Sequence, residues 1–374
     1  MELFEISGQV VLKKFCKNFK CMRIIVIALG GLGDILMTTP MIKVLRSAYP
    51  KAKIDTITML PSSYEILKNN PNLNNVIYYP FLKEGYSRSL FFLLKNFSFK
   101  RGFYDVSITL YPSYPKHYHI VSYLVGAKKR IATRFKKGYL KECFFLYTDL
   151  VEAKEDKHHV INNLNLLRPL GIKISEEEAQ KLDLEIYLEK PSTRCEEFLA
   201  NTKSPFIFIH NGSFLSKKGS EKRRLILVQV ISLIESIINR NLNVVFNIGP
   251  EEVAQKKVIA EKLHYLINKK VFLCQNFPLN DVSHIIKNAY KVISTDSGIH
   301  HLAAALKKEI ILILGLTDER KIYPWNARYH IISAPVPCRP CYLSYAQREF
   351  VCKNKNEKWA CIKRIDVRKI VELI

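Results

Sequence analysis

Thr295-Asp296-Ser297-Gly298-Ile299-His300-His301-Leu302-Ala303-Ala304-Ala305-Leu306 is the stretch whose reading decides the fold. Just before it, Lys291 to Ser294 is a short apolar run that reads as a buried strand. An acid, a hydroxyl and a glycine break that run, and a helix-forming series of Leu and Ala follows at once. Asp296 or Ser297 is placed to cap this helix. The first turn of a helix leaves backbone N–H groups without intrahelical partners and carries partial positive charge, so it seats a phosphate or diphosphate. An Asp296 cap would leave the Ser297 and Gly298 N–H groups to that anion. His301 falls one turn on, in reach of a phosphate or sugar oxygen, whereas His300 is expected on an outward face.

A second such turn stands near the start, Ala28-Leu29-Gly30-Gly31-Leu32-Gly33-Asp34. Gly30, Gly31 and Gly33 remove side chains where backbone must bend and approach a ligand. Asp34 begins the next helix, either as a simple N-terminal acid or as a catalytic one. Gly31-x-Gly33 also opens a dinucleotide fingerprint, with Asp55 about twenty residues on. Leu36 occupies its third glycine position, and Asp34 would repel a pyrophosphate, so NAD fits poorly. Two strand–glycine–helix turns far apart in one chain predict two nucleotide-fold domains facing a cleft.

Further motifs lie between these turns. Asn211-Gly212-Ser213 ends an apolar strand and precedes Lys217-Lys218 and Lys222-Arg223-Arg224. A loop rich in donors and cations suits a departing diphosphate or is simply solvated. Gly249-Pro250-Glu251-Glu252 also follows a strand, where a glutamate binds a ribose diol or enriches a helix N-terminus.

The alternation around these motifs is regular. Arg23 to Leu29, Ile54 to Met59, Val76 to Tyr79 and Val106 to Leu110 read as strands, and Ile35 to Ala48, Pro61 to Leu67, Ser87 to Phe97 and Pro115 to Val125 as helices. Repeated units of this kind imply a parallel sheet. Lys154 to Gly171 reads as one helix, and the polar Ser175 to Lys190 as an interdomain connection. The pattern restarts at Phe206 to His210. It continues through a helix near Leu225 to Asn239, a strand from Asn243 to Ile248 and a helix over Glu251 to Ile267. Val271 to Leu273, Lys291 to Ser294 and Glu309 to Leu314 complete the strands. Asp281 to Ala289, Ile299 to Leu306 and Ile365 to Leu373 complete the helices.

Composition narrows the partners. The 374 residues are enough for two cores, and 58 basic against 34 acidic side chains give a net charge of +24. Such an excess draws anionic partners: nucleic acid, anionic lipid or a phosphorylated glycan. The basic clusters, such as Lys128-Lys129-Arg130 and Lys136-Lys137, are short and lack interleaved stacking aromatics, which argues against nucleic acid. No run of about 18 uncharged apolar residues marks a transmembrane helix. Met1 to Met22 lacks the apolar core and cleavage site of a signal peptide. With Lys13, Lys14, Lys17 and Lys20 it reads as a frayed or docked extension, or as a basic helix touching lipid. Four of nine cysteines crowd the end, Cys338, Cys341, Cys352 and Cys361. Cys338-x-x-Cys341 is half of a zinc knuckle, but the second pair lacks matching spacing, so reduced thiols and no metal are expected.

Together the two glycine turns resemble a known family. Ala28 to Asp34 with Thr38-Thr39-Pro40 is similar to the opening motif of glycosyltransferase family 9, the lipopolysaccharide heptosyltransferases. Asp296-Ser297-Gly298 through His301 to Leu306, with Gly315-Leu316-Thr317-Asp318, resembles that family's nucleotide-site motif. Order and spacing agree from about Met22 to Trp325.

The resemblance implies a GT-B fold, two Rossmann-like domains facing a central cleft. The implied activity is an inverting, metal-independent transfer of a sugar, heptose from ADP-heptose, onto a lipopolysaccharide-core or related surface-glycan acceptor, with no cofactor. The absence of an Asp-x-Asp motif agrees. Asp34 matches the general base, with Gly30, Gly31 and Gly33 forming the acceptor and phosphate loop. Lys222 and the helix start at Ser297 and Gly298 would meet the charge on the leaving diphosphate. Asn211, Asp296 and His301 would line the donor site, and Glu251 or Glu252 would contact ribose. Lys222-Arg223-Arg224-Leu225 lacks the Trp and Pro of the family's Lys-x-Trp-Pro, which leaves Lys222 and Lys218 as alternatives. Leu316 stands where the family has Pro.

The implied organisation is a basic extension over 1–21, an acceptor domain over 22–172, a connection over 173–204, a nucleotide-sugar domain over 205–335 and a Cys-rich tail with a terminal helix over 336–374. An anionic glycolipid acceptor implies a cytoplasmic protein, peripheral on the inner face of the cytoplasmic membrane. The alternatives are a GT-B-fold nucleotide-sugar epimerase or hydrolase, a sugar-binding scaffold without activity, and a non-enzymatic basic nucleic-acid-binding protein.

Overall fold

A computed structural model describes residues 3–6, 9–12, 22–97, 102–113, 116–135, 143–203, 205–212, 220–249, 252–342 and 351–374. The chain divides into two compact units, Met1–Tyr187 and Leu188–Ile374.

In the first unit, β1 (Leu3–Ile6) and β2 (Gln9–Leu12) form an antiparallel pair. The rest of the N-terminal extension, with Lys13, Lys14, Lys17 and Lys20 and its expectation of a frayed or docked segment or a lipid-touching helix, lies outside the described residues. Next come β3 (Arg23–Ile27), α1 (Leu32–Leu36), α2 (Thr39–Ala48), β4 (Lys53–Thr58), α3 (Pro61–Leu67), β5 (Asn75–Tyr78) and α4 (Phe81–Asn96). They are followed by β6 (Val106–Thr109), α5 (Lys116–Leu124), β7 (Lys129–Arg134), β8 (Asp149–Glu152), α6 (His159–Asn165) and α7 (Glu176–Ala179). Strands β3 to β8 form a parallel sheet in the order β5-β4-β3-β6-β7-β8.

The second unit begins with α8 (Thr193–Thr202), β9 (Phe206–His210), α9 (Leu227–Ile238), β10 (Asn243–Ile248), α10 (Val253–Lys262), β11 (Val271–Gln275) and α11 (Leu279–Asn288). It continues through β12 (Lys291–Thr295), α12 (Gly298–Ala305), β13 (Ile310–Ile313), α13 (Glu319–Ile322), β14 (Tyr329–Ile332), α14 (Ala360–Lys363) and α15 (Val367–Glu372). Its sheet is also parallel, in the order β11-β10-β9-β12-β13-β14.

The strand sequences explain the sheets. Ile24 to Ile27 and Ile207 to Ile209 are buried on both faces, as strands covered by helices on each side must be. On α9, Val230, Leu233, Ile234 and Ile237 recur at helical spacing and all are buried. Truncating one of them to Ala is expected to cost about 2–5 kcal/mol. The C-terminal segment belongs to this core: Ile362, Ile365 and Ile370 join it, and Gln229 Nε2 donates to the carbonyls of Ile362, Lys363 and Ile365 at 3.2, 3.0 and 3.0 Å. Gln229 thus satisfies carbonyls that the end of α14 leaves unpaired.

Several elements differ from the sequence expectation. The helix expected over Ile35 to Ala48 is two. Pro40 has no N–H for the Leu36 carbonyl, which the Thr39 hydroxyl meets instead at 2.8 Å. Lys154 to Gly171 holds only α6 and a 3-10 turn at Arg168–Leu170. There Asn162 Nδ2 bonds the Lys154 carbonyl at 3.0 Å, and Asn163 bonds both Tyr111 backbone groups, so their amides tie loops rather than face solvent. Strands β7, β8 and β14 had no clear sequence signal. Lys128 to Arg130, read as a basic cluster, enters β7, and Arg130 spends its guanidinium on the Leu146 and Ala127 carbonyls, at 2.8 Å each.

In both sheets a central strand, β3 or β9, lies between the strand that follows it and one reached after the chain reverses direction. The crevice at the carboxyl end of such a strand is where open α/β sheets bind ligands. The first glycine turn begins at the end of β3, and the second at the end of β12, the neighbour of β9.

Candidate active site

In the first unit, β3 runs into Gly30, Gly31 and α1. Asp34 sits in the first turn of α1, and its Oδ2 accepts the Gly31 N–H at 3.1 Å. The Thr38 hydroxyl donates to the Asp34 carbonyl at 2.8 Å, and the Ser63 hydroxyl to the Gly30 carbonyl at 2.9 Å. A Cβ on Gly30 would lie 2.7 Å from the Asp34 Cβ, so this position requires glycine for packing. Gly31 is half-buried beside the carboxylate, and Gly33 lies within α1.

Two tyrosines feel this carboxylate. Burial, and then the Asp34 charge, raises the Tyr118 phenol above its ordinary value. Burial, Glu155 and Asp34 do the same for Tyr111 at the end of β6. Both stay protonated, and Tyr118 donates to the Leu29 carbonyl at 2.8 Å. Asp34 is thus a half-exposed carboxylate held beside neutral phenols at a strand end. Asp55 is elsewhere: buried, it accepts from Asn75 Nδ2 at 2.7 Å and the Tyr104 hydroxyl at 2.9 Å. Its carboxylate braces β4, leaving the dinucleotide fingerprint without a ribose ligand.

In the second unit the ends of β9, β10, β12 and β13 carry the other residues. Ser297, not Asp296, caps α12: its Oγ accepts the Ile299 N–H at 3.3 Å. Asp296 turns to the loop after β9, where Arg223 Nη1 lies 3.1 Å from Oδ2 and the Thr317 hydroxyl donates to the same oxygen at 2.6 Å. Burial pushes the Asp296 carboxyl up, but Arg223, His300 and Thr317 outweigh it and hold it below the ordinary range. Beside it, Arg224 Nη2 pairs with Glu252 Oε1 at 2.6 Å, both side chains nearly buried. Neither arginine was singled out from the sequence; they stood out only as members of a charged run.

The histidines also need correction. His300 is fully buried rather than outward. Its Nδ1 faces the Ser297 N–H at 3.3 Å and its Nε2 the Ile322 carbonyl at 3.0 Å, an arrangement that suits a neutral ring with its proton on Nε2. The Ser297 N–H is therefore engaged within the turn rather than left for an anion. Burial lowers the His300 pKa. His301 is also buried, its ring centroid 3.8 Å from that of His300. Gly298 opens α12 beside them.

Asn211 is a structural tie: its amide oxygen accepts the Leu225 N–H at 2.8 Å, and its Nδ2 reaches the Leu225 carbonyl at 3.0 Å and Gln255 Oε1 at 2.9 Å. These bonds shape the loop that presents Arg223 and Arg224. His210 Nδ1 accepts from Asn247 Nδ2 at 2.9 Å, and burial, Arg224 and His300 push its pKa down to about 3. Lys222 is exposed on the same turn. Glu251, Ser213, Lys217 and Lys218 lie outside the described residues.

Two Rossmann-like parallel sheets, each with a charged turn at its reversal point, define the GT-B class of sugar-transferring folds. The sequence profile of glycosyltransferase family 9 (heptosyltransferase) matches residues 104–349, and the chain belongs to this family. It is a glycosyltransferase. Lipopolysaccharide heptosyltransferase 3 of Escherichia coli K12 is 27% identical over 307 residues, 79% of this chain and 83% of that one. A family 9 glycosyl transferase from Veillonella parvula DSM 2008 superposes with a TM-score of 0.71 at 18% identity, covering 94% of this chain and 95% of its own. The E. coli heptosyltransferase WaaC, solved with ADP-2-deoxy-2-fluoro heptose, gives a TM-score of 0.62 at 16% identity over 94% of this chain and 99% of its own. The match to the profile contains Asp296 and its arginine partner; Asp34 precedes it.

Proposed function

We propose that this glycosyltransferase moves a heptose from ADP-heptose, with inversion and without a metal at the reacting centre, onto a lipopolysaccharide-core or related surface-glycan acceptor. The observation that carries the reading is the pairing of Arg223 with Asp296 and Arg224 with Glu252 at one reversal point. The acids hold the two guanidinium groups in place, and these largely buried cations beside the start of α12 suit a diphosphate. Arg223, Lys222 and the Gly298 end of α12 meet the charge that develops on the departing ADP. Glu252 lies where a ribose diol approaches the end of β10. Asp34 accepts the acceptor hydroxyl proton as that oxygen bonds to the anomeric carbon and the bond to the diphosphate breaks. The similarity to a lipopolysaccharide heptosyltransferase and to WaaC bound to ADP-2-deoxy-2-fluoro heptose supports the acceptor class and the donor.

The net charge of +24 suits an anionic glycolipid at an anionic membrane face. Along α4, Leu82, Tyr86, Leu90 and Phe91 are exposed among Lys83, Arg88 and Lys95, an apolar and basic surface for peripheral contact. Among the described residues no helix is long and apolar enough to cross a membrane.

The test supplies purified protein with ADP-, UDP- and GDP-linked sugars, with and without truncated lipopolysaccharide. The reading expects ADP release and heptosylated product only when ADP-heptose and acceptor are both present. Equal turnover without acceptor would overturn it in favour of donor hydrolysis.

A further inference from the structure

The peptide unit between Gly30 and Gly31 is gripped at both ends. Gly30 supplies its carbonyl and Gly31 its N–H. The Ser63 hydroxyl donates to the carbonyl at 2.9 Å, and the N–H donates to Asp34 Oδ2 at 3.1 Å. The bond is trans, so the two groups point in opposite directions, and a donor on the carbonyl commits the N–H to the other side. Ser63 comes from another element, α3, and is fully buried. The Gly30 carbonyl is the partner of its hydroxyl. One residue earlier, the Leu29 carbonyl is held in the same way by Tyr118 of α5 at 2.8 Å.

This unit is the one in the turn that rotates most easily. Glycine stands on both sides of it, so no Cβ opposes rotation. Gly31 has a φ of −73°, and half a turn of the peptide would carry it into the positive-φ region that glycine enters freely. The rotated unit would set the Gly30 carbonyl oxygen against the Asp34 carboxylate, and both groups are acceptors. Bulk cannot block the rotation at Gly30, where a Cβ would lie 2.7 Å from the Asp34 Cβ.

From these contacts we propose that Ser63 is a positioning residue for transfer: its hydroxyl latches the Gly30–Gly31 peptide with the N–H, not the carbonyl, toward Asp34. The inference rests on the reading of Asp34 as the base that takes the acceptor proton. A carboxylate with one oxygen anchored has a fixed plane, which a base aimed at a single hydroxyl requires. A donor on the carbonyl also polarises the peptide and strengthens the N–H bond to the carboxylate. Buried behind the turn, Ser63 acts through Asp34 and touches no substrate.

The experiment joins a spectroscopic and a kinetic readout on the full chain. With isotope-labelled glycine amides, Ser63→Ala should move the Gly31 amide resonance toward the position it takes in Asp34→Ala, where its acceptor is gone. In transfer from ADP-heptose to truncated lipopolysaccharide, Ser63→Ala should lower kcat about tenfold with both KM values unchanged. In a Gly31→Ala background the same change should lower kcat by less than about twofold, because alanine resists the positive φ of the rotated peptide. Ser63→Cys keeps the shape with a weaker donor, should show the same effects in milder form, and carries the test if Ser63→Ala does not fold. A Gly31 amide unmoved by the Ser63 change, or an equal kcat loss in the two backgrounds, would overturn the latch. An active Asp34→Asn variant would overturn the base instead, and the Gly31 amide then decides the latch alone.

Discussion

Arg223 and Asp296, 73 residues apart in the chain, meet at 3.1 Å and join the loop after β9 to the turn after β12. The carboxyl is held low in the fold, so its contribution to stability is present above the unfolded value near ~3.9 and is lost as pH falls through the lower folded value. Arg223→Met removes the cation that holds it there. The expected loss is about 3 kcal/mol, the lower end for a broken buried pair, with acid unfolding displaced to higher pH. Urea unfolding at neutral and acid pH checks this; an unmoved acid limb would show that the pair does not set the Asp296 ionisation.

Asp34→Asn keeps an amide oxygen for the Gly31 N–H but removes the base. Transfer is expected to fall by about 10²–10⁴-fold while ADP affinity and the thermal midpoint stay unchanged. An active Asn variant would remove Asp34 from the chemistry. Asp34→Ala serves as the structural comparison, since it also loses the N–H partner, for about 1 kcal/mol of stability.

Gly30 and Gly31 of the first turn make a matched pair. An Ala at Gly30 would bring its Cβ to 2.7 Å of the Asp34 Cβ, whereas at Gly31 the nearest atom is Asp34 Oδ2 at an ordinary 3.8 Å. Gly30→Ala should displace the carboxylate, lower kcat about a hundredfold and destabilise by about 1–3 kcal/mol. Gly31→Ala should leave the unfolding midpoint where it is. Equal midpoints for the two variants would contradict the crowding argument.

His210 predicts a pH slope. Its Nδ1 already accepts from Asn247 and its pKa is pushed down to about 3, so the folded ring is neutral. An unfolded histidine takes up a proton near ~6.5. Below that pH the unfolded state holds one proton more, and stability falls as pH drops toward 3, at about 1.4 kcal/mol per pH unit. His210→Asn should flatten unfolding free energy between pH 7 and 5 by about one proton. The buried His300, also lowered, contributes the slope that remains. A slope unchanged by the substitution would mean that His210 is charged in the fold.

Peripheral membrane contact predicts salt-sensitive sedimentation with anionic vesicles. Phe91→Ser and Leu90→Ser should weaken it while leaving transfer to a water-soluble acceptor intact. Binding equal at low and high salt would contradict the electrostatic part of the proposal.

Much of the architecture was legible in the chain. Apolar runs such as Arg23 to Leu29 and Asn243 to Ile248 announce buried parallel strands because both faces are covered, and the glycine turns after them mark helix entries. Weaker elements were not legible. Strand β8 has no buried residue and β14 none either, so neither carries an apolar pattern to read. The break before α2 rests on Pro40, visible in sequence, and on a Thr39 bond that is not.

By itself, then, the sequence determined the alternation of strands and helices, the position of both glycine turns and Asp34 as the acid of the first. Those are short-range matters of periodicity, chain stiffness and helix-end chemistry. Only the tertiary structure decided that Arg223 and Arg224 reach Asp296 and Glu252, that Ser297 caps α12 in place of Asp296, and that His300 is buried against the Ile322 carbonyl. Each depends on a partner supplied by another element, and a buried charge or ring settles on whichever partner the packing brings within bonding distance.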